Sequence, residues 1–465
     1  MSTPMVSTHS RRKILHLLAG TSSLGLSLGV APRVWAQAVP AKVGPDNGSS
    51  GGRLVVVFLR GAYDGLSAFV PYADKDYYAI RPNIAIAAPD GSTQTAIKLD
   101  NTFAMHPSLS PLLPLWQQGV LSFIPAAGLP KPDRSHFDAQ YQMEVAQVDK
   151  TSGAPGWLNK LSLQTARNAA AKEGSSANAL GIGEANPAIL AGSATVRLIP
   201  RGQAAERTGV LENEKTRQAL LDMYSGNDKV SVAFRQGAGS RMQSAQELGT
   251  DKSVREGLAR EKNRMLPNTL DKDGTLKSPQ AQNTQMLAAS NGAPDPRGLQ
   301  LDALHLGTLM RNEPKLRIGF LSAGGWDTHV NQGNAAGQLA NNLRSLALAI
   351  AQLRQDFNQP GDVVVVMSEF GRTSAENGTR GTDHGFGNAM WLVGNRVAGG
   401  KWHGHWTGLA KGNLNENRDL PAHHDYRAVL AQVLRGTFAL NDTALDDLLP
   451  ATNWDTRLDG MLRKA

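Results

Sequence analysis

Leu54-Val55-Val56-Val57-Phe58-Leu59 is an unbroken apolar run of strand length. Continuous rather than alternating apolarity suits a strand buried on both faces, and such strands belong to parallel sheets covered by helices. Residues 120–125, 316–321 and 363–367 read the same way. Between the last two runs, Leu339, Leu343, Leu346, Ile350, Leu353 and Phe357 recur at spacings of three and four, which predicts a long helix. Strand, helix, strand with buried runs predicts an α/β fold, a mostly parallel sheet with helices on both faces.

The 465 residues exceed one ordinary domain, and the region around 202–300 differs in kind, being rich in Gln, Asn, Lys, Glu and Ser. The expected organisation is a leader over 1–38, a Pro-, Gly- and Ser-containing linker over 39–52, and a first part of the α/β core over 53–201. A polar helical insertion over 202–300 and a second core part over 301–465 complete it.

Arg11-Arg12 precede a short apolar stretch, and Ala36-Gln37-Ala38 offers a small-residue cleavage site. That pattern predicts twin-arginine export, with the export machinery as a partner and a periplasmic or otherwise exported location. The apolar run is too short and too rich in Gly and Ser for a good spanning helix, and no later segment reaches spanning length, so the mature chain is not expected to span a membrane. The leader also explains part of the net charge of +8. Arg11, Arg12, Lys13 and Arg33 are unopposed there, and removing the leader leaves +4, too little to argue for nucleic acid.

The chain has no cysteine, which excludes thiol catalysis, disulfides and cysteine-held metals. Any metal must be held by His, Asp, Glu or hydroxyl groups. In open α/β sheets ligands bind beyond the carboxyl ends of strands, so the polar residues following each run are the candidates. Asp64, between glycines after the first run, is a candidate metal ligand or a turn aspartate. After the second run, Ser135 with Asp138 forms a capping box, and the same helix N-terminus suits a metal-activated serine nucleophile. His136 beside it is a further catalytic candidate. Asp327 and His329 after the third run are two residues apart, so in an extended segment both point toward one ion. After the fourth run, Glu369 and Asp383 offer oxygen ligands, His384 offers nitrogen, and Arg372 offers a planar fork for an oxyanion. A helix-cap Glu, a turn Asp-His pair and a solvent-facing Arg are the plainer alternatives. His403, His405, His423 and His424 cluster later, with no basis for choosing among them.

These motifs resemble an exported bacterial family, domain-of-unknown-function family 1501: the twin-arginine leader, residues 54–67, Arg134-Ser135-His136-Phe137, Gly325-Trp326-Asp327-Thr328-His329, Ser368-Glu369-Phe370-Gly371-Arg372, Gly381-Thr382-Asp383-His384-Gly385 and Asp425-Tyr426-Arg427. That family in turn resembles the alkaline-phosphatase and sulfatase superfamily. The resemblance implies an alkaline-phosphatase-like fold with one or two divalent ions (zinc, manganese, magnesium or calcium). It also implies metal ligation by Asp64, Asp327, His329, Asp383 and His384, and Ser135 as nucleophile. The implied activity is hydrolysis of phosphate or sulfate monoesters, with an anionic small molecule as substrate. The alternative is a catalytically degraded member used for binding or assembly, as the altered ligand spacing and Glu369-Phe370 suggest. A metal-free serine hydrolase built on Ser135 is a third option.

Overall fold

The computed structural model describes residues 51–147, 153–168, 177–265 and 282–464. The expected leader and most of the linker lie outside the described residues. No described helix is long and apolar enough to cross a membrane.

The described residues form two compact units. In the smaller, helices Glu214–Met223, Lys229–Thr250 and Lys252–Met265 follow one another. Asn213 and Asp228 cap the first two by accepting backbone N–H groups, and Leu211, Leu220 and Ala238 make a small apolar cluster. Of the region expected as a helical insertion, the described residues 203–265 lie in the smaller unit, while residues 282–300, with helix Gln282–Ser290, group with the larger one.

Among the described residues, the larger unit holds eleven strands: β1 Leu54–Leu59, β2 Phe69–Val70, β3 Ile97–Lys98, β4 Ala104–Met105, β5 Leu121–Gly128, β6 Ala179–Ile182, β7 Val196–Ile199, β8 Ile318–Ala323, β9 Val363–Ser368, β10 Asn388–Val393 and β11 His424–Asp425. Eight form one sheet in the order β11-β5-β10-β9-β1-β8-β6-β7, while β2, β4 and β3 form a small antiparallel one. In the large sheet β10 is antiparallel to both β5 and β9, and every other pairing is parallel.

β1, at the centre, is wholly buried. Leu54, Val56 and Phe58 join a core cluster with Trp157, Leu158 and Leu161 and with Tyr426, Val429, Leu430 and Val433. The last four belong to helix Tyr426–Phe438. Val55, on the other face, packs with Gly319 near Leu306 and Met310 of helix Leu299–Asn312. Helices therefore cover both faces, the condition that an unbroken apolar strand requires. The predicted long helix spans Gln338–Asp356 and packs on helix Leu299–Asn312.

Register makes the edge that matters. Leu59 is paired with Ala323 on one side and Ser368 on the other, so β1, β8 and β9 end at one level. The segments beginning at Arg60, Gly324 and Glu369 leave the sheet together. Because β10 runs the other way, its first residue Asn388 lies opposite Ala127 near the end of β5. The loop before β10, which carries Asp383 and His384, reaches the same edge. A parallel strand there would have sent that loop to the opposite end.

Candidate metal centre

Helix His136–Val145 begins immediately beyond β5's exit loop, with Ser135 as its cap; Ser135 Oγ accepts the Asp138 N–H at 3.4 Å. His136 occupies the first helical position and is 8% exposed. Past β8, Gly325 takes φ +81°, a left-handed value that favours glycine, and Trp326 is buried with Nε1 donating to the Ala323 carbonyl. Those two residues turn the chain so that Asp327 and His329 face inward. On the β10 side, Arg372 and His384 form an isolated antiparallel bridge, and the Gly385 N–H donates to the Gly371 carbonyl.

These segments bring three imidazole Nε2 atoms around one carboxylate oxygen. Asp327 Oδ1 lies 2.8 Å from His329 Nε2, 3.3 Å from His384 Nε2 and 3.4 Å from His136 Nε2. His384 Nε2 is 2.9 Å from that of His136 and 3.0 Å from that of His329. The other nitrogen of each ring is engaged. His136 Nδ1 lies 2.7 Å from Glu369 Oε1, and His329 Nδ1 lies 3.0 Å from Asp383 Oδ1. His384 Nδ1 lies 2.8 Å from the Arg134 carbonyl oxygen. A carbonyl only accepts and an ionised carboxylate only accepts, so all three Nδ1 atoms carry protons. When the rings are neutral, the three Nε2 lone pairs face one another.

The donor set fits a divalent cation. Neutral imidazoles with Nδ1–H held by carboxylate or carbonyl oxygen are the usual supporting arrangement for metal-binding histidines. A tetrahedral zinc site with bonds of about 2.0 Å separates its donors by about 3.3 Å, close to the spacings here. His136, Asp327 and His384 each offer an atom within 4.8 Å of the others. His329 and His384 are partly exposed, so the cluster opens to solvent on their side.

The electrostatics without a cation are correspondingly tense. Burial opposes charge on His136, but hydrogen bonds to Asp327 and Glu369 outweigh it and raise its pKa to about 9. Burial pushes the Asp327 carboxyl up, yet the three histidines and Arg372 hold it far below the ordinary range. Glu369 is likewise lowered by His136 and Gln140 against its complete burial.

Of the residues singled out from the sequence, His136, Asp327, His329 and His384 meet at one point. Glu369 and Asp383, expected as direct ligands, instead stand behind His136 and His329 as acceptors for their Nδ1 protons. Arg372, expected to clamp an oxyanion, is buried: NH1 donates to Asp327 Oδ1 at 2.7 Å, Nε to Thr382 Oγ1 at 3.1 Å, and NH2 to the Thr382 carbonyl. Its donors are spent on positioning Asp327.

Asp64 is placed differently from the expectation of a metal ligand. Its carboxylate accepts from both terminal nitrogens of the buried Arg81, at 2.6 and 3.2 Å, and from Ser67 Oγ and Gln332 Nε2, both at 2.7 Å. Those four donors occupy it. Gln332 Oε1 in turn accepts from Thr328 and Thr382, so Asp64 braces the two loops that carry His329 and His384. Among the late histidines, His424 is buried with Nδ1 on Asp455, and its Nε2 accepts the His405 N–H.

Sequence reading did not single out Gln140, Glu144, Arg81 or Gln332. A usable signal for the first two existed: His136, Gln140 and Glu144 are four residues apart, so they share one helix face, and all three are buried. Arg81 and Gln332 carried no comparable pattern.

A family model described as "Protein of unknown function (DUF1501)" matches residues 52–449. None of the curated proteins compared with the chain matches it.

Proposed function

The chain belongs to the DUF1501 family of proteins of unknown function, and for it we propose an exported, metal-dependent hydrolase of phosphate or sulfate monoesters. One divalent cation is held by His136, Asp327, His329 and His384. The observation that carries this reading is the convergence of three Nε2 atoms on Asp327 Oδ1, each ring fixed from behind through Nδ1. When bound, such a cation supplies Lewis-acid polarisation of an ester oxygen. Ser135, between Arg134, whose carbonyl seats His384, and His136, supplies the nucleophilic hydroxyl. The alkaline-phosphatase-like character of the fold and passage through the twin-arginine export machinery belong to the same proposal.

A second reading rests on a separate feature. Four protein donors complete the tetrahedral shell typical of structural rather than catalytic zinc, which leaves no open position for substrate. In that case the cation locks the strand-end loops of a non-catalytic binding or assembly protein.

One experiment separates the two. Mature protein from about residue 39 is assayed for bound metal by mass spectrometry and for turnover of aryl phosphates and sulfates, alongside Asp327→Ala and Ser135→Ala. Hydrolase function requires one equivalent of cation in wild type and in Ser135→Ala, lost in Asp327→Ala, with turnover confined to wild type. Bound cation without turnover favours the structural reading. A wild type that binds no divalent ion after supplementation contradicts both.

A further inference from the structure

Arg60, one residue beyond β1, is 1% exposed and lies among two buried carboxylates and an amide. Nε and NH2 donate to Glu184 at 2.5 and 2.9 Å. NH1 and NH2 donate to Glu144 at 3.2 and 2.9 Å, and NH1 also to Gln140 Oε1 at 3.0 Å. All five guanidinium N–H groups are thus used. Buried ion pairs of this kind are weak contributors to net stability, because desolvation offsets much of their attraction. Stability alone therefore does not explain the cluster.

Its effect on Gln140 is specific. A guanidinium only donates, so Gln140 must turn its oxygen to Arg60. The amide nitrogen then faces the other way, donating to the Ala289 carbonyl at 2.7 Å and to Glu369 Oε1 at 3.0 Å. Both of those partners only accept, so one amide orientation satisfies all three contacts. The Gly61 N–H donates to the same Glu369 oxygen at 2.8 Å. With those two donors in place, Glu369 Oε1 is held as an acceptor for the His136 Nδ1 proton at 2.7 Å.

We propose that Gln140, oriented by Arg60, is a positioning residue for the cation site: it fixes Glu369, which fixes the His136 ring with its proton on Nδ1 and its Nε2 lone pair toward Asp327. This rests on the cation reading above. From the Arg60 side chain the contacts reach His136 through Gln140 and Glu369, with the Gly61 N–H supporting the same Glu369 oxygen. Partners of this kind typically alter metal affinity 10–100-fold when removed.

The test uses Gln140→Met, an unbranched replacement of similar length, because Arg60→Met leaves Glu144 and Glu184 buried without their cation. Two quantities are measured on folded mature protein: the zinc dissociation constant by competition with a chromophoric chelator, and the His136 tautomer from imidazole nitrogen shifts in metal-free protein at a pH high enough that the ring is neutral. The expected result is zinc binding weakened about 10–100-fold at unchanged stoichiometry, with His136 moving from Nδ1–H toward Nε2–H. A purely structural role would lower the melting temperature and leave both quantities unmoved, and that outcome overturns the proposal. If wild type binds no zinc, the cation reading falls on its own. The tautomer then decides: a shift in the variant supports the relay, and identical rings in the two proteins overturn it.

Discussion

Nε2 of His136 and Nε2 of His384 face each other at 2.9 Å, while both rings spend their Nδ1 protons elsewhere, on Glu369 and on the Arg134 carbonyl. Two lone pairs at that distance repel unless a positive charge lies between them or one nitrogen is protonated. His329 adds a third nitrogen 3.0 Å from that of His384. The arrangement therefore demands either an additional proton or a cation, and the two make opposite predictions.

Cation removal should destabilise the larger unit. A ligand present at about a thousand times its Kd stabilises the folded state by about 4 kcal/mol. Calorimetry of zinc-loaded protein with and without chelator should show a melting temperature lower by several degrees after chelation. His384→Ala should melt low in both conditions, with no response to chelator. Equal melting of loaded and chelated wild type would contradict a cation at this site.

The pH dependence has opposite signs in the two states. In cation-free protein the His136 pKa is raised from 6.5 to about 9, as hydrogen bonds to Asp327 and Glu369 overcome burial. A raised value means the protonated ring stabilises fully below about pH 6.5, and that contribution fades as pH climbs through about 9. Asp327 acts at the acid end: its carboxyl is held low, so its contribution is present above pH 3.8 and lost as pH falls further. Cation binding must displace the proton, so affinity should rise about tenfold per pH unit in the window where cation-free stability falls. Denaturant titrations without metal and chelator competition with it, both from pH 6 to 9, test the two slopes.

Much of this was legible in the sequence, for reasons that differ by element. β1 shows as an apolar run because it is buried on both faces at the sheet centre, and β9 likewise. β6 and β7 have four residues each, too short for any period to register. β10 escaped notice although all six of its residues are buried. Its reversed direction, which delivers His384 to the site, is a tertiary property that no local pattern encodes. Asp327 and His329 were legible as a pair because two-residue spacing in an extended chain has a geometric consequence. The division between ligands and their supports was not. Glu369 and Asp327 are both buried acids following parallel strands, and only the fold puts one beside Nδ1 and the other beside Nε2.

Gly381→Ala tests how closely the loops must approach. A Cβ at this position would meet the His329 backbone carbonyl well inside van der Waals contact. The β10 loop would have to move away from the β8 loop, separating His384 from His329. Loss of cation binding is expected, with the protein otherwise folded. At Gly61 the constraint is doubled, since φ is +111° and an added Cβ would lie 2.8 Å from the Asp327 nitrogen. Gly61→Ala should therefore cost about 1–3 kcal/mol of stability in addition to cation affinity. Zinc competition and denaturant melts of both variants check this.

Asp64→Ala separates bracing from ligation. Its carboxylate is held low by Arg81 despite full burial, and it accepts from Ser67 and Gln332 as well. Removing it leaves the Arg81 guanidinium, which is 0% exposed, without a counter-charge and bonded only to neutral acceptors, the Thr373 and Ser374 carbonyls and Ser67 Oγ. Breaking one partner from a buried pair costs about 3–5 kcal/mol. The same change leaves His136, Asp327, His329 and His384 intact. Unfolding measurements should therefore show a large loss of stability, while metal analysis of the folded fraction still finds one equivalent of cation. Binding weakened at unchanged stoichiometry still marks a brace of the His329 and His384 loops, whereas a cation that cannot be restored at any concentration to protein that remains folded marks Asp64 as a ligand. Its contacts with Arg81 would then have to break for the site to form.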